Sequence, residues 1–134
     1  MREILFRGMT EQGEWVYGVP LKTHYSHLVT IISEITDDSI DSFLVKPETV
    51  GQYTGLKDRD GVEIWEGDIV VAHEACARGD GGYDDLILQV VWRDDVAAFA
   101  VIENGLPEDW LYLDEYEHKV VGNIHQNPEL LEES

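Results

Sequence analysis

The chain has 134 residues, 43% of them hydrophobic, and sets 28 Asp and Glu against 9 Lys and Arg for a formal net charge of −19 at pH 7. That length suits a single domain with a buried core, and the apolar content excludes a disordered polymer. A surface so acidic repels phosphate, which disfavours direct nucleic-acid binding and docking on anionic membrane, while basic proteins and metal cations remain compatible partners.

Compartment signals agree with one another. The amino-terminal Met1 to Arg7 lacks the apolar core and small-residue cleavage pattern of a leader, and no apolar run approaches the ~20 residues that span a bilayer. The single Cys76 can form no internal disulfide, as in a reducing compartment. The expectation is a soluble, cytoplasmic protein.

In chain order the elements are mainly β. Glu3 to Phe6 predicts a short opening strand, with Gly13 to Gly18 as its hairpin partner. His27 to Ile32 and Phe43 to Val45 are further strands, separated by the acidic turn at Asp37, Asp38 and Ser39. Asp58-Arg59-Asp60-Gly61 has hairpin-turn chemistry: aspartates favour turn positions, and Gly61 tolerates positive φ. Val50 to Thr54 and Val62 to Trp65 flank it, and Glu66-Gly67-Asp68 turns the chain into the β-branched Ile69-Val70-Val71. Residues 75 to 85 read as a glycine-rich acidic loop and as the one candidate hinge.

Beyond it, Leu86 to Trp92 and Val96 to Ile102 predict an antiparallel pair around Arg93-Asp94-Asp95. Leu86, Leu88, Val90 and Trp92 share one face by period two, with Ile87, Gln89 and Val91 on the other. Glu108 to Leu113 is open between a helical turn and a strand, and Lys119 to Ile124 closes the β structure. Asn127 as a cap, Pro128 at the first helical position and Glu129 to Glu133 predict a short C-terminal helix. The expected fold is a small, SH3-like antiparallel β-barrel domain over residues 1–134, with room for a second small β lobe.

Three blocks in order carry a family likeness. Arg2 to Arg7 with Trp15-Val16-Tyr17-Gly18 forms the first, and Pro47 to Asp58 with Gly61 and Glu66 to Val70 the second. Val121 to Leu131 forms the third. Together they resemble the YopX family of phage and prophage proteins, and they span nearly the whole chain. Departures are mild: Gly8-Met9 stands where the family often has a small residue and an aromatic, and Trp65 and His125 stand where tyrosine is common. The resemblance implies a small, largely β, phage-encoded protein located in the bacterial host cell and carries over no catalytic residue. Within the blocks, Gly51, Tyr53, Thr54, Gly55, Asp58, Gly61, Gly67, Asp68, Gly122, Asn123, Asn127 and Pro128 are read as structural positions.

Chemistry-bearing patterns are sparse. His73-Glu74-Ala75-Cys76 brings a histidine, a carboxylate and a thiol together, but no second Cys/His cluster completes a zinc set and HExxH is absent. Asp80, Asp84 and Asp85 offer oxygen ligands among glycines without the spacing of a calcium loop. His73, Glu74, Asp80, Asp84 and Asp85 are therefore the weak metal candidates. His24, His27, His118 and His125 read as solvent-facing. No nucleophile elbow, phosphate loop or dinucleotide fingerprint occurs. Asp37/Asp38, Asp84/Asp85 and Asp94/Asp95 are sequence neighbours, which point to opposite faces in extended chain and make poor acid–base dyads.

Trp15, Tyr17, Tyr53, Trp65, Trp92, Phe99 and Trp110 are expected mostly in the core, because a small β domain needs large side chains to fill it. With no cofactor motif, the sequence favours a non-enzymatic module that binds a basic protein or self-assembles into a homo-oligomer. The alternative is a metal-dependent hydrolase using histidine and carboxylate clusters.

Overall fold

The computed structural model describes residues 5–22, 28–77, 79–103, 106–113 and 118–132. Two compact units divide the chain, Met1–Tyr53 and Thr54–Ser134. Both are antiparallel β structures, and one short helix ends the described chain.

In the first unit, β1 (Phe6–Met9), β2 (Trp15–Lys22), β3 (Val29–Ile35) and β4 (Ile40–Val45) are followed by a 3-10 turn at Pro47–Thr49 and by β5 (Gly51–Lys57). Their order is β4-β3-β2-β1-β5, so β4 ends the row. Of the expected opening strand, Glu3 and Ile4 lie outside the described residues; β1 takes in Phe6 and runs on through Gly8 to Met9. Glycine there permits a close approach instead of ending the strand: a Cβ on Gly8 would sit 2.6 Å from Val45 Cγ2. Gly18 serves the same end between strands, since a Cβ would lie 2.1 Å from the Ile32 carbonyl oxygen. Met9, Ile31, Val45 and Tyr53 are buried, and the Arg7 guanidinium lies 4.1 Å over the ring of Trp15.

The later residues of β5 enter the second unit and pair with β6 (Glu63–Trp65) across the expected turn. There follow β7 (Asp68–Ala77), β8 (Tyr83–Arg93), β9 (Ala98–Glu103), β10 (Leu106–Tyr112), β11 (His118–Asn123) and α1 (Glu129–Glu132). The sheet order is β10-β9-β8-β7-β11. Residues 75 to 85 are mostly ladder and not loop: Cys76 pairs Asp84 and Ala77 pairs Tyr83, leaving a short glycine-rich turn. The open question at Glu108 to Leu113 resolves as strand, with Trp110 opposite Ile102.

Period-two alternation on β8 puts Leu88 and Val90 into a core with Ile64, Val70, Val101, Phe99 and Leu113. Leu86 packs against its edge, whereas Trp92 stays 40% exposed and meets Phe99 edge-on at 5.0 Å. Tyr17 is also exposed, so the aromatic set is only partly core. The side chain of Trp110 lies outside the described residues. The described residues form no closed barrel: β4 and β10 each stand at the end of a strand order.

Candidate functional site

Asp58 is 1% exposed and organises the central turn. Its Oδ1 accepts the amides of Asp60 at 2.8 Å and Val62 at 2.9 Å, while Oδ2 accepts that of Val120 at 2.9 Å. Gly61, at φ +83°, donates its amide to the Asp58 carbonyl, and Arg59 donates to the carbonyl of His118. Burial works against ionisation, but the three backbone donors and the charge of Lys119 outweigh it and hold the carboxyl below its ordinary range. A carboxylate engaged in this way joins the β5–β6 turn to β11 and is badly placed to exchange protons with a substrate. Beside it, the Thr54 hydroxyl donates to the Ile64 carbonyl at 2.7 Å and accepts the Leu56 amide at 3.1 Å. Gly55 stands at φ +85°.

A second cluster surrounds Gly67, at φ +92°. Its amide donates to Val90 and its carbonyl accepts Ile124, both at 2.9 Å. Asp68 Oδ2 accepts the Trp65 amide at 2.8 Å. Asn123 Oδ1 accepts the amides of His125 and Gln126, and its Nδ2 donates to Gln126 Oε1 at 2.8 Å. The side chain of Asn127 turns back to accept the Asn123 amide at 3.2 Å, so its described bond is to the strand behind it and not to the helix ahead. Asn127 also explains Gly122, whose Cβ would stand 2.6 Å from Asn127 Oδ1. Pro128 is exposed, and its carbonyl accepts Leu131. Gly51 pairs with Arg7, and Tyr53 donates its amide to Leu5.

The weak metal candidates fall on the β7–β8 hairpin. His73 Nδ1 lies 2.8 Å from Asp85 Oδ1, both side chains being exposed. Asp80 Oδ1 accepts the Gly82 amide at 3.0 Å and so closes its own turn. The side chains of Glu74, Cys76 and Asp84 lie outside the described residues, as do His24 and His27. Among the described residues, no three His, Cys, Asp or Glu converge on one point. The neighbouring Asp94 and Asp95 take separate partners: Asp94 accepts Trp92 Nε1 at 2.7 Å, and Asp95 forms a two-pronged pair with Arg93. The hydrogen bond from Arg93 draws the Asp95 carboxyl below its usual range. His118 is buried, contrary to the solvent-facing reading.

The described concavity of note lies in the first unit. It is an open pocket of about 430 Å3 lined by Thr10, Glu11 and Gln12 of the β1–β2 turn, by Leu28, and by Ser42, Phe43 and Leu44 of β4. Gly13, at φ +87°, and the paired bonds between Thr10 and Glu14 fix the turn that forms one wall. Just past the other wall, Lys46 donates its amide to the Met9 carbonyl at 2.8 Å and ties the end of β4 to the end of β1.

The profile of the family described as "YopX protein" matches residues 5–132. The chain belongs to the YopX family. Among solved structures it is similar to protein EF1440 from Enterococcus faecalis, with 26% sequence identity and a TM-score of 0.57 over 98% of this chain and 99% of that one. A search of curated proteins finds no match.

Seen in this YopX chain, the second and third family blocks hold the hydrogen-bonded turns around Asp58, Gly67 and Asn123, while the described part of the first lies on β1 and β2. The pocket residues lie mostly outside those blocks, and sequence reasoning missed them. A signal was present in Ile40 to Val45, where Phe43 and Leu44 put apolar groups on both faces of one strand. Such a segment departs from the inside–outside alternation of a half-buried strand.

Proposed function

We propose that this YopX protein is a non-enzymatic accessory module, encoded by a phage or prophage, that binds a basic protein partner in the bacterial cytoplasm. The observation carrying this reading is the distribution of charge. After Tyr53 the chain has 20 Asp and Glu against 5 Lys and Arg, a balance of −15; up to Tyr53 it has 8 against 4, a balance of −4. The acidic side supplies long-range attraction for a cationic protein, and the exposed apolar strand residues of the first unit supply contact area. The hydrogen-bonded carboxylates and asparagines described above are read as structural, which leaves them without a catalytic task. Both units act as one module in this reading, supported by a family match that runs through both. The first unit is read as an SH3-like barrel left open beside β4.

A tagged pull-down from infected and uninfected bacterial lysate, washed across a salt gradient and read by mass spectrometry, tests the reading. Recovery of one basic protein at low salt, lost as salt rises, is expected. Recovery of the bait alone, or of a partner indifferent to salt, overturns the electrostatic reading.

A further inference from the structure

We propose that the free edge of β4 takes up an extended segment of a partner protein, with cationic and apolar residues alternating, as an added strand that sends one side chain into the neighbouring pocket. This rests on the interaction reading above and gives that reading a site.

Three observations converge. Among the described residues, β4 pairs with β3 alone and ends the strand order. An edge of this kind presents unpaired backbone donors and acceptors, and proteins usually guard it with lysine or proline. β4 contains neither, its sequence being Ile-Asp-Ser-Phe-Leu-Val. Second, Ile40 is 60%, Phe43 44% and Leu44 51% exposed. Consecutive residues of a strand point to opposite faces, so both faces of this edge present apolar surface, and an added strand would shield both.

The third observation is the pocket, which gives the partner its chemistry. Leu28, Phe43 and Leu44 offer an apolar lining, Glu11 stands on the opposite wall, and among the described residues no lining side chain carries a positive charge. Asp41 adds a second exposed carboxylate beside Ser42 on the strand. A lysine or arginine side chain matches this arrangement, with its methylene stem against Phe43 and Leu28 and its cationic head toward Glu11. A second copy of the chain matches it poorly. Pairing β4 with its own image would set Asp41 and Glu11 against like charges on a molecule that also carries −19.

The test uses the full chain and two fluorescein-labelled ten-residue peptides. One alternates lysine and valine; the other keeps every lysine but replaces two valines with proline, which cannot add to a sheet edge. Because their charges are equal, the ratio of their affinities reads strand addition and not bulk attraction. Fluorescence anisotropy should give at least tenfold tighter binding of the alternating peptide. Ser42→Trp, at an exposed position on the pocket wall, should remove that preference while its thermal melt stays at the wild-type value. Amide chemical shifts should change at residues 10–12 and 40–45. Equal affinity for the two peptides, or an unchanged preference in Ser42→Trp, overturns the proposal. So does a concentration-dependent dimer dissolved by Ser42→Trp, which would make a second copy the occupant. If wild type and Ser42→Trp capture the same lysate partner equally, the β4 site fails while the interaction module stands, so the two failures are told apart.

Discussion

Replacing Asp58 removes one carboxylate and strands three backbone amides, those of Asp60, Val62 and Val120. Each hydrogen bond to a charged acceptor contributes about 1.5–3 kcal/mol, and each amide left without a partner costs about 1–3 kcal/mol where water cannot reach it. These three amides are partly buried, so water recovers some of the loss. Asp58→Ala should therefore cost about 3–5 kcal/mol, a large share of the about 5–15 kcal/mol that holds a typical domain together. Asp58→Asn keeps one acceptor oxygen for the turn but sets an amide donor against the Val120 amide, and should cost about 2 kcal/mol.

Urea titration followed by tryptophan fluorescence reads both values as shifts in midpoint at constant slope. The sign with pH follows from the depressed folded-state pKa. The stabilisation is fully present above the unfolded value, near 3.8, and is lost as pH falls through the lower folded one. The wild-type advantage over Asp58→Asn should accordingly be constant from pH 7 to 5 and shrink below pH 4. A cost under about 1 kcal/mol for Asp58→Ala, the value expected of an ordinary surface change, would refute the reasoning.

Gly18→Ala should lower the thermal midpoint steeply, by the equivalent of about 3 kcal/mol, because its Cβ would stand 2.1 Å from the Ile32 carbonyl oxygen and β3 would have to move. Gly55→Ala has open space around it and only its φ of +85° to strain, so differential scanning calorimetry should show the smaller loss of about 1–2 kcal/mol. Ile64→Ala, at a fully buried core position, should cost about 3–4 kcal/mol in urea, whereas Val62→Ala two residues away should stay within about 0.5 kcal/mol. Asn123→Ala should cost about 2 kcal/mol and speed hydrogen exchange at the His125 and Gln126 amides, whose acceptor it removes; unchanged exchange there would count against the assigned bonds.

The parts legible in sequence were those where local chemistry and tertiary demand coincide. Asp58 to Gly61 is a turn because aspartate and glycine suit it, and the Asp58 side chain closes it as such a side chain can. Leu88 and Val90 alternate into the core as their spacing says. Trp92 shares their face yet remains exposed, because β8 runs on beyond the core and periodicity does not report where a core ends. The segment from 75 to 85 failed in another way. Glycines concentrated in the turn masked the small and acidic residues on either side, which pair because the hairpin brings them opposite one another and not because they favour strands. The bond from Val120 to Asp58 crosses 62 residues and left no local trace. The pocket beside β4 was hidden for the same reason, being assembled from Thr10 to Gln12, Leu28 and Ser42 to Leu44.

The order β10-β9-β8-β7-β11 has a consequence for assembly in time. β7 to β10 can zip up as successive hairpins as they emerge from the ribosome, but the other side of β7 waits for β11, which comes last among the strands. Until then Ile69, Val70 and Val71 lie along an open sheet margin, the kind of surface on which half-made chains join one another. In that interval residues 54 to 117 already set 17 Asp and Glu against 4 Lys and Arg, a balance of −13. Mutual repulsion between nascent copies keeps those margins apart, so the acidity guards the protein against itself before it has a partner to attract.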